Sequence, residues 1–367
     1  MSGVIGNKVK MSIFGESHGK SIGVVIDGLP SGFVLDFAKI DREMKRRAPG
    51  QNLMSTQRNE KDKYIIQSGL FEGKLTGTPL CALIPNSDQH SKDYSLLKDV
   101  MRPGHADYSG RVHYKGANDY RGGGSFSGRL TAPLVFMGAV AKQILATYGI
   151  KIGAHIASIN DILDTKFNPL GEDETFLESL STLEMATIDH SKGELMKECI
   201  LKAREESNSV GGTIECIIQN VSTGIGDPYF DSVESRLSHL LFSVPAVKGI
   251  EFGLGFDLTR LTGKEANDEL EYDENGKVRT LTNNNGGILG GITNGMPVLF
   301  KVGIKPTPSI SLEQKSINIK TKENTTIKVI GRHDPCIVQR AVPVIEAVAA
   351  FTILDFMLEF DINNKWR

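Results

Sequence analysis

From Ala341 to Phe360 the chain is apolar almost without relief, and the run is interrupted in its interior by Glu346 and Asp355. Buried charges are costly in a bilayer, so the stretch reads as a core helix of a folded protein rather than a membrane span. A second long apolar helix opens at Thr131-Ala132-Pro133 and runs to about Leu145. Pro133 is tolerated in its first turn, where a missing N–H costs nothing.

With 367 residues the chain is long enough for a substantial core. No Pro- or Ser-rich linker divides it, which favours one compact unit over residues 1–367. Its 42 basic and 44 acidic residues leave a net charge of −2, so it carries no global polycation for nucleic acid and any anion site must be local. Cys81, Cys199, Cys216 and Cys336 are far apart and make no C-x-x-C pair, against a zinc ribbon or disulfide framework and in keeping with a reducing cytoplasm. The N-terminus has no long apolar segment of the secretory kind.

Short strands and helices follow one another along the chain. Val9 to Phe14 and Ser21 to Asp27 read as strands flanking the loop Gly15-Glu16-Ser17-His18-Gly19. Phe37 to Arg47 has helical spacing, Asp36 at its start and basic residues in its last turn. Asp161 to Glu206 is acidic and helical in pattern, Val210 to Ile218 reads as a turn into a strand, and Ser232 to Ser243 as an amphipathic helix ended by Pro245. Thr325 to Ile330 is strand-like. Asp268 to Asn285, rich in Asn, Asp, Glu and Gly, reads as a mobile loop. This mixture permits an α+β class.

The densest chemistry lies in Arg102-Pro103-Gly104-His105-Ala106-Asp107 and Asp119-Tyr120-Arg121-Gly122-Gly123-Gly124. Glycine lets backbone N–H groups approach an anion, arginine supplies forked donors, and histidine changes protonation near neutral pH. The glycines serve equally well as tight turns, but the adjoining Arg121, Arg129 and Lys305 tip the reading towards anions. Gly15 to Ser21 is not a P-loop: three residues separate its glycines where four are needed, and a strand follows instead of a helix. A dinucleotide fingerprint is absent too, since Leu258 stands where a third glycine is required after Gly253-Leu254-Gly255. His105, Asp107 and His113 have the side chains of a metal site but not its spacing, so no metal is expected. Gly331-Arg332-His333-Asp334-Pro335-Cys336 gathers an arginine, a histidine and a carboxylate that together suit substrate binding and proton movement. Lys305-Pro306-Thr307-Pro308-Ser309 is stiffened by two prolines.

Taken in order, Gly15 to Gly19, Arg102 to Asp107, Asp119 to Gly124, Ala246-Val247-Lys248-Gly249, Gly286 to Gly291, Lys305-Pro306-Thr307 and Gly331 to Cys336 resemble chorismate synthase over nearly the whole chain. The resemblance implies a β-α-β sandwich, a helical layer between antiparallel sheets, assembled as a homotetramer. It implies a lyase that removes phosphate from 5-enolpyruvylshikimate 3-phosphate by 1,4-anti elimination, giving chorismate, the last common step towards aromatic amino acids. The reaction requires reduced FMN with no net redox change. By the same resemblance His18 protonates the departing phosphate, His105 protonates the reduced flavin, and Asp334 assists removal of the substrate proton through the flavin N5. Arg47, Arg129 and Arg332 meet the anionic substrate or NADPH. FMN contacts fall on Ser125, Phe126 and Ser127, Pro245 and Ala246, Gly290, Lys305, Pro306, Thr307, Pro308 and Ser309, and Arg332.

The chain departs from the family pattern twice. Many relatives have Arg-Ser-Ser where Ser125-Phe126-Ser127 stands, and many have an arginine at the position of Leu53. The second departure leans away from tight NADPH binding and towards an external flavin reductase. Segments Met44 to Arg58 and Asp268 to Asn285 are expected to order over bound ligands. Two other classes compete: a flavin- or phosphometabolite-binding protein without catalysis, and a metal-dependent phosphohydrolase acting through His105, Asp107 and His113.

Overall fold

The computed structural model describes residues 3–50, 54–55, 60–87, 96–329, 331 and 333–363, with the side chains of 361–363 excepted. Two five-stranded antiparallel sheets enclose a layer of helices. The first contains β1 (Val4–Ile5), β2 (Lys10–Gly15), β3 (Ser21–Asp27), β4 (Ile65–Ser68) and β5 (Leu80–Pro85), in the order β1-β2-β3-β5-β4. The second contains β6 (Lys151–Ile159), β7 (Ile162–Leu163), β8 (Gly212–Gln219), β9 (Val247–Phe252) and β10 (Val298–Ile304), in the order β9-β10-β8-β6-β7. The α-helices longer than one turn are α1 (Phe37–Arg47), α2 (Asp107–His113), α3 (Thr131–Ala146), α4 (Glu174–Leu180), α5 (His190–Glu205), α6 (Val233–Leu241) and α7 (Val338–Asn363).

Strand alternation builds the layers. Ile22, Val24 and Ile26 of β3, with Ile214, Cys216 and Ile218 of β8, join the principal core, whereas Ile217 packs in a separate cluster with Leu177 and Leu180 of α4. Helix α3 rests on β3 and β5, α7 on β6 and β8, and the two helices pack on each other. They cross so closely that a Cβ placed on Gly138 would lie 2.2 Å from Cβ of Ala347, leaving no room for a side chain there. Both helices have the length and composition of a membrane span, yet they are mostly buried inside the protein.

The two acids within the apolar C-terminal run are what tie this layer together. Glu346 accepts from Arg46 at 2.6 and 2.9 Å, from Lys142 and from the Ala154 N–H at 3.2 Å, joining α7 to α1, α3 and β6. Glu43 completes the cluster, 2.8 Å from Arg46 and 3.0 Å from Lys142. Asp355 accepts the N–H groups of Asn7, Lys8 and Val9 at 2.6–2.8 Å and a hydrogen bond from Arg236 of α6. Two buried carboxylates thus fix where α1, α3, α6, β6 and the chain leading into β2 meet α7.

The expected elements at Val9 to Phe14, Ser21 to Asp27, Phe37 to Arg47, Thr131 to Leu145 and Ser232 to Ser243 appear within a residue or two of their bounds. Two expectations are corrected. Asp161 to Glu206 holds β7, α4 and α5 with irregular chain between them, because Asp164 accepts the Ile188 and Asp189 N–H groups at 2.7 and 3.0 Å and also faces His155 Nδ1 at 2.9 Å. Asp268 to Asn285 is not a structureless loop: Leu270–Tyr272 pairs with Val278–Thr280 as a hairpin. Asp273 accepts the Asn275 and Lys277 N–H groups at its turn, and Asp268 accepts those of Asn284 and Asn285 at its base. The other expected lid is partly ordinary helix, since Met44 to Arg47 ends α1, and Leu53 and Arg58 lie outside the described residues.

Burial alone raises the Glu346 carboxyl, but the charges of Arg46 and Lys142 outweigh it and bring it down to about 2. A depressed carboxylate contributes stability above its ordinary value of 4.5 and loses it as pH falls through about 2. Glu346→Gln, which leaves Arg46 and Lys142 short of charge, is expected to cost about 3–5 kcal/mol in urea unfolding at pH 7. The difference from wild type should shrink below pH 4.5 and close near pH 2.

Candidate active site

A cavity of about 710 Å³ opens where the β2–β3 loop, the glycine run, the starts of α3 and α7, the start of β9 and the segment after β10 converge. That volume suits a cofactor together with a small substrate.

One corner is built on Arg102. Its guanidinium grips Asp107 through Nε at 2.7 Å and Nη2 at 2.8 Å, and its Nη1 reaches Ser309 Oγ at 3.0 Å. Asp107 in turn lies 2.6 Å from His105 Nδ1. Burial by itself would raise the Asp107 carboxyl, but hydrogen bonds from Arg102 and His105 hold it well below the ordinary range. Arg102 Nη2 also lies 3.2 Å from the same Nδ1, so carboxylate and guanidinium both hold that side of the ring and Nε2 is left to act. His333 also lines the cavity. Burial, with the Arg102 charge close by, pushes its imidazole down to about 4, so it is neutral at pH 7, and its Nε2 is buried without a hydrogen bond.

The glycine run holds both histidines. Gly122, Gly123 and Gly124 have φ of 59°, 98° and 53°, a series that glycine adopts without steric cost. A Cβ on Gly122 would fall 2.2 Å from His18 Cε1, and one on Gly123 would fall 3.2 Å from His105 Nε2. The Ser17 N–H donates to the Gly124 carbonyl at 3.2 Å, and Ser17 Oγ lies 3.2 Å from His18 Nδ1. The run is therefore a tight turn, and its function is to let two imidazoles approach the same backbone.

A third wall is cationic and almost fully buried. Arg129 pairs with Glu60 at 2.6 Å and with Asp62, and its Nε donates to Asn86 Oδ1 at 3.0 Å. Arg47 Nε lies 3.0 Å from Asp62 Oδ2, close enough for an ion pair but not aligned as a hydrogen bond. Burial lowers the Arg47 guanidinium to about 10, with Arg340 and Arg129 adding to the effect and Asp62 opposing it. Arg340 donates to Asp334 Oδ2 at 2.7 Å.

The structure brings most of the expected site residues to this cavity: His18, His105, Asp334, Arg47, Arg129, Ser125, Phe126, Ser127, Pro245, Ala246, Lys305, Thr307, Pro308 and Ser309. Pro306 and Gly290 do not line it. Gly290 sits in the turn between Ile288–Leu289 and Ile292–Thr293, where a φ of 61° accounts for its glycine. Arg332 lies outside the described residues. Arg121 is turned to Asp119, at 2.8 Å through both Nε and Nη2, rather than to the cavity. Phe126, at the departure from the commoner pattern, packs on Gly110 of α2, where a Cβ would meet its ring at 2.4 Å.

Sequence reading missed Glu60, Asp62, Asn86 and Arg340. Arg340 did leave a signal, because a cation in the first turn of a helix opposes the helix dipole and needs a reason to be there. The partners of Arg129 lie 43 to 69 positions away in sequence, and no local pattern announces them. Gly122→Ala tests the packing of the pair: it should displace the His18 ring, seen as a shifted imidazole NMR resonance, with the His155 resonance unchanged.

Comparison with known proteins places this geometry. The family model of chorismate synthase matches residues 9–358. The chain is 45% identical to the chorismate synthase of Methanocaldococcus jannaschii over 363 residues, covering 96% of each chain. It is 46% identical to that of Pyrococcus abyssi over 355 residues, covering 96% of this chain and 97% of the relative. A crystal structure of chorismate synthase superposes with a TM-score of 0.74 at 29% identity, covering 97% of this chain and 93% of the other. The arrangement of helices between antiparallel sheets is thus the family's α+β fold, and the chain belongs to the chorismate synthase family, enzymes of the lyase class.

Proposed function

We propose that this chain eliminates phosphate from 5-enolpyruvylshikimate 3-phosphate to give chorismate, by a 1,4-anti elimination that depends on reduced FMN. The observation that carries the reading is the convergence of His18, His105 and Asp334 on one cavity walled by arginines. The substrate carries a phosphate and two carboxylates, and forked guanidinium donors suit all three.

Reduced FMN, when bound, supplies transient electron density to the reaction with no net redox change. Ser125, Phe126, Ser127, Pro245, Ala246, Lys305, Thr307, Pro308 and Ser309 would hold it. Their fit to a polar ligand is supported by two buried atoms in this wall that have no hydrogen bond, Thr307 Oγ1 and His333 Nε2, since buried polar groups rarely go unpaired.

Each protein group has a task its surroundings suit. His105, anchored at Nδ1 by Asp107, holds its mobile proton at Nε2, on the side facing Gly123. His18, steadied at Nδ1 by Ser17, gives a proton to the oxygen of the departing phosphate as the C–O bond breaks. Asp334, held at one oxygen by Arg340, assists departure of the proton from carbon. Arg47 and Arg129 bind the substrate's anionic groups, and their burial excludes the water that would screen them. An external flavin reductase, rather than bound NADPH, supplies the reducing equivalents, as Leu53 in place of an arginine suggests. A homotetramer in a reducing cytoplasm belongs to the same reading.

A metal-dependent phosphohydrolase is less favoured, because Asp107 is committed to Arg102 and His105, and His113 packs edge-on against Tyr114 away from the cavity lining. Anaerobic incubation with reduced FMN and 5-enolpyruvylshikimate 3-phosphate should release phosphate and chorismate in equal amounts, with no loss on adding EDTA. Absence of chorismate under those conditions overturns the proposal. His18→Ala and His105→Ala should each lower turnover by roughly 10²–10⁴-fold, and near-wild-type rates would remove that residue from the mechanism.

A further inference from the structure

Positive charge is unevenly compensated around the cavity. Among the described residues, every arginine lining it faces a carboxylate: Arg47 faces Asp62, Arg102 faces Asp107, Arg129 faces Glu60 and Asp62, and Arg340 faces Asp334. Lys248 and Lys305 line the same cavity, and among the described residues neither forms an ion pair. Among the described residues the Lys305 ammonium donates to a neutral group, the Gly104 carbonyl.

The local fold places the two lysines together. Strands β9 and β10 pair with Val247 opposite Ile304 and then Gly249 opposite Gly303, so Lys248 is an extra residue on β9, a β-bulge. Bulges interrupt the alternation of a strand and re-aim a side chain. Lys305 directly follows Ile304 on the partner strand, and its N–H donates to the Ala246 carbonyl at 3.0 Å. The two side chains therefore leave adjoining ends of one ladder and reach the same cavity.

We propose that Lys248 acts with Lys305 to bind the terminal phosphate monoester of a cavity ligand, at a corner distinct from the arginine–carboxylate wall. Two cations without counter-charge match a dianion, and a phosphate monoester carries about −1.5 to −2 charges near pH 7. The Lys305 amine is lowered by burial and by the charge of Lys248, a repulsion that an intervening dianion relieves. The wall of guanidiniums, each already facing a carboxylate, is left to recognise the other anionic groups by direction rather than by net charge. The assignment rests on the proposed function, because both FMN and 5-enolpyruvylshikimate 3-phosphate end in such a group.

Lys248 is exposed, so Lys248→Gln should leave the melting temperature unchanged and can be tested in the folded protein. Equilibrium titrations compare FMN with riboflavin, and the substrate with its dephosphorylated counterpart. Wild type should prefer the phosphorylated member of at least one pair, and Lys248→Gln should lose about ten-fold of that preference, the scale of one charge-assisted hydrogen bond. Lys248→Arg should retain most of it. A loss confined to the flavin pair assigns the corner to the cofactor, and one confined to the substrate pair assigns it to the substrate. Undiminished discrimination in both pairs overturns the proposal. A chain that discriminates FMN from riboflavin through Lys248 yet forms no chorismate would overturn the proposed function and leave this corner standing.

Discussion

Burying a carboxylate costs several kcal/mol unless charge and hydrogen bonds compensate it, and α7 buries two. Glu346 is surrounded by Arg46, Lys142 and the Ala154 N–H, and Asp355 by three consecutive backbone N–H groups and Arg236. These donors come from α1, α3, α6, β6 and the chain between β1 and β2. Apolar burial by itself would let α7 slide or rotate between the sheets, because hydrophobic contact is not directional. The two acids, with the Gly138–Ala347 approach, select one position along the axis. That position matters for function, because the first turn of the same helix carries Arg340 and the residues just before it include His333 and Asp334.

The cavity repeats this logic with the signs reversed. Its arginines are held by carboxylates before any ligand arrives: Arg102 by a two-point grip on Asp107, Arg129 by Glu60 and Asp62, Arg340 by Asp334. Paired guanidiniums lose little freedom when an anion binds, and they do not drive one another apart in the empty state. The depressed Arg47 guanidinium shows how near that balance runs to its limit, since burial and two neighbouring arginines already outweigh Asp62.

Local signals were legible where the cause was local. Apolar periodicity, Asp36 and Ser232 at helix starts, and Pro133 in a first turn gave the helices, because each acts within a few residues. The sandwich came only from the family resemblance, since no single-chain pattern dictates which strands pair when β5 inserts between β3 and β4. The polar stretch from Asp268 read as a loop because Asx turns and side-chain caps use the same residue types as disordered chain, and only the structure distinguishes Asp268 and Asp273 as hydrogen-bond acceptors from solvated acids. At the site, histidines and arginines stood out by residue type. Asp62, the acid that bridges two of those arginines, carried no local mark.

The glycine run shows why motif chemistry and turn geometry need not be rival readings. Three consecutive positive φ values are demanded by the path of the backbone, and the same lack of side chains admits His18 against Gly122 and His105 against Gly123. The two imidazoles are thereby held by a common segment while their other contacts differ, a serine hydroxyl for His18 and an ionised aspartate for His105. Two histidines set on one turn thus face the cavity from different partners, which suits two proton donors with separate acceptors.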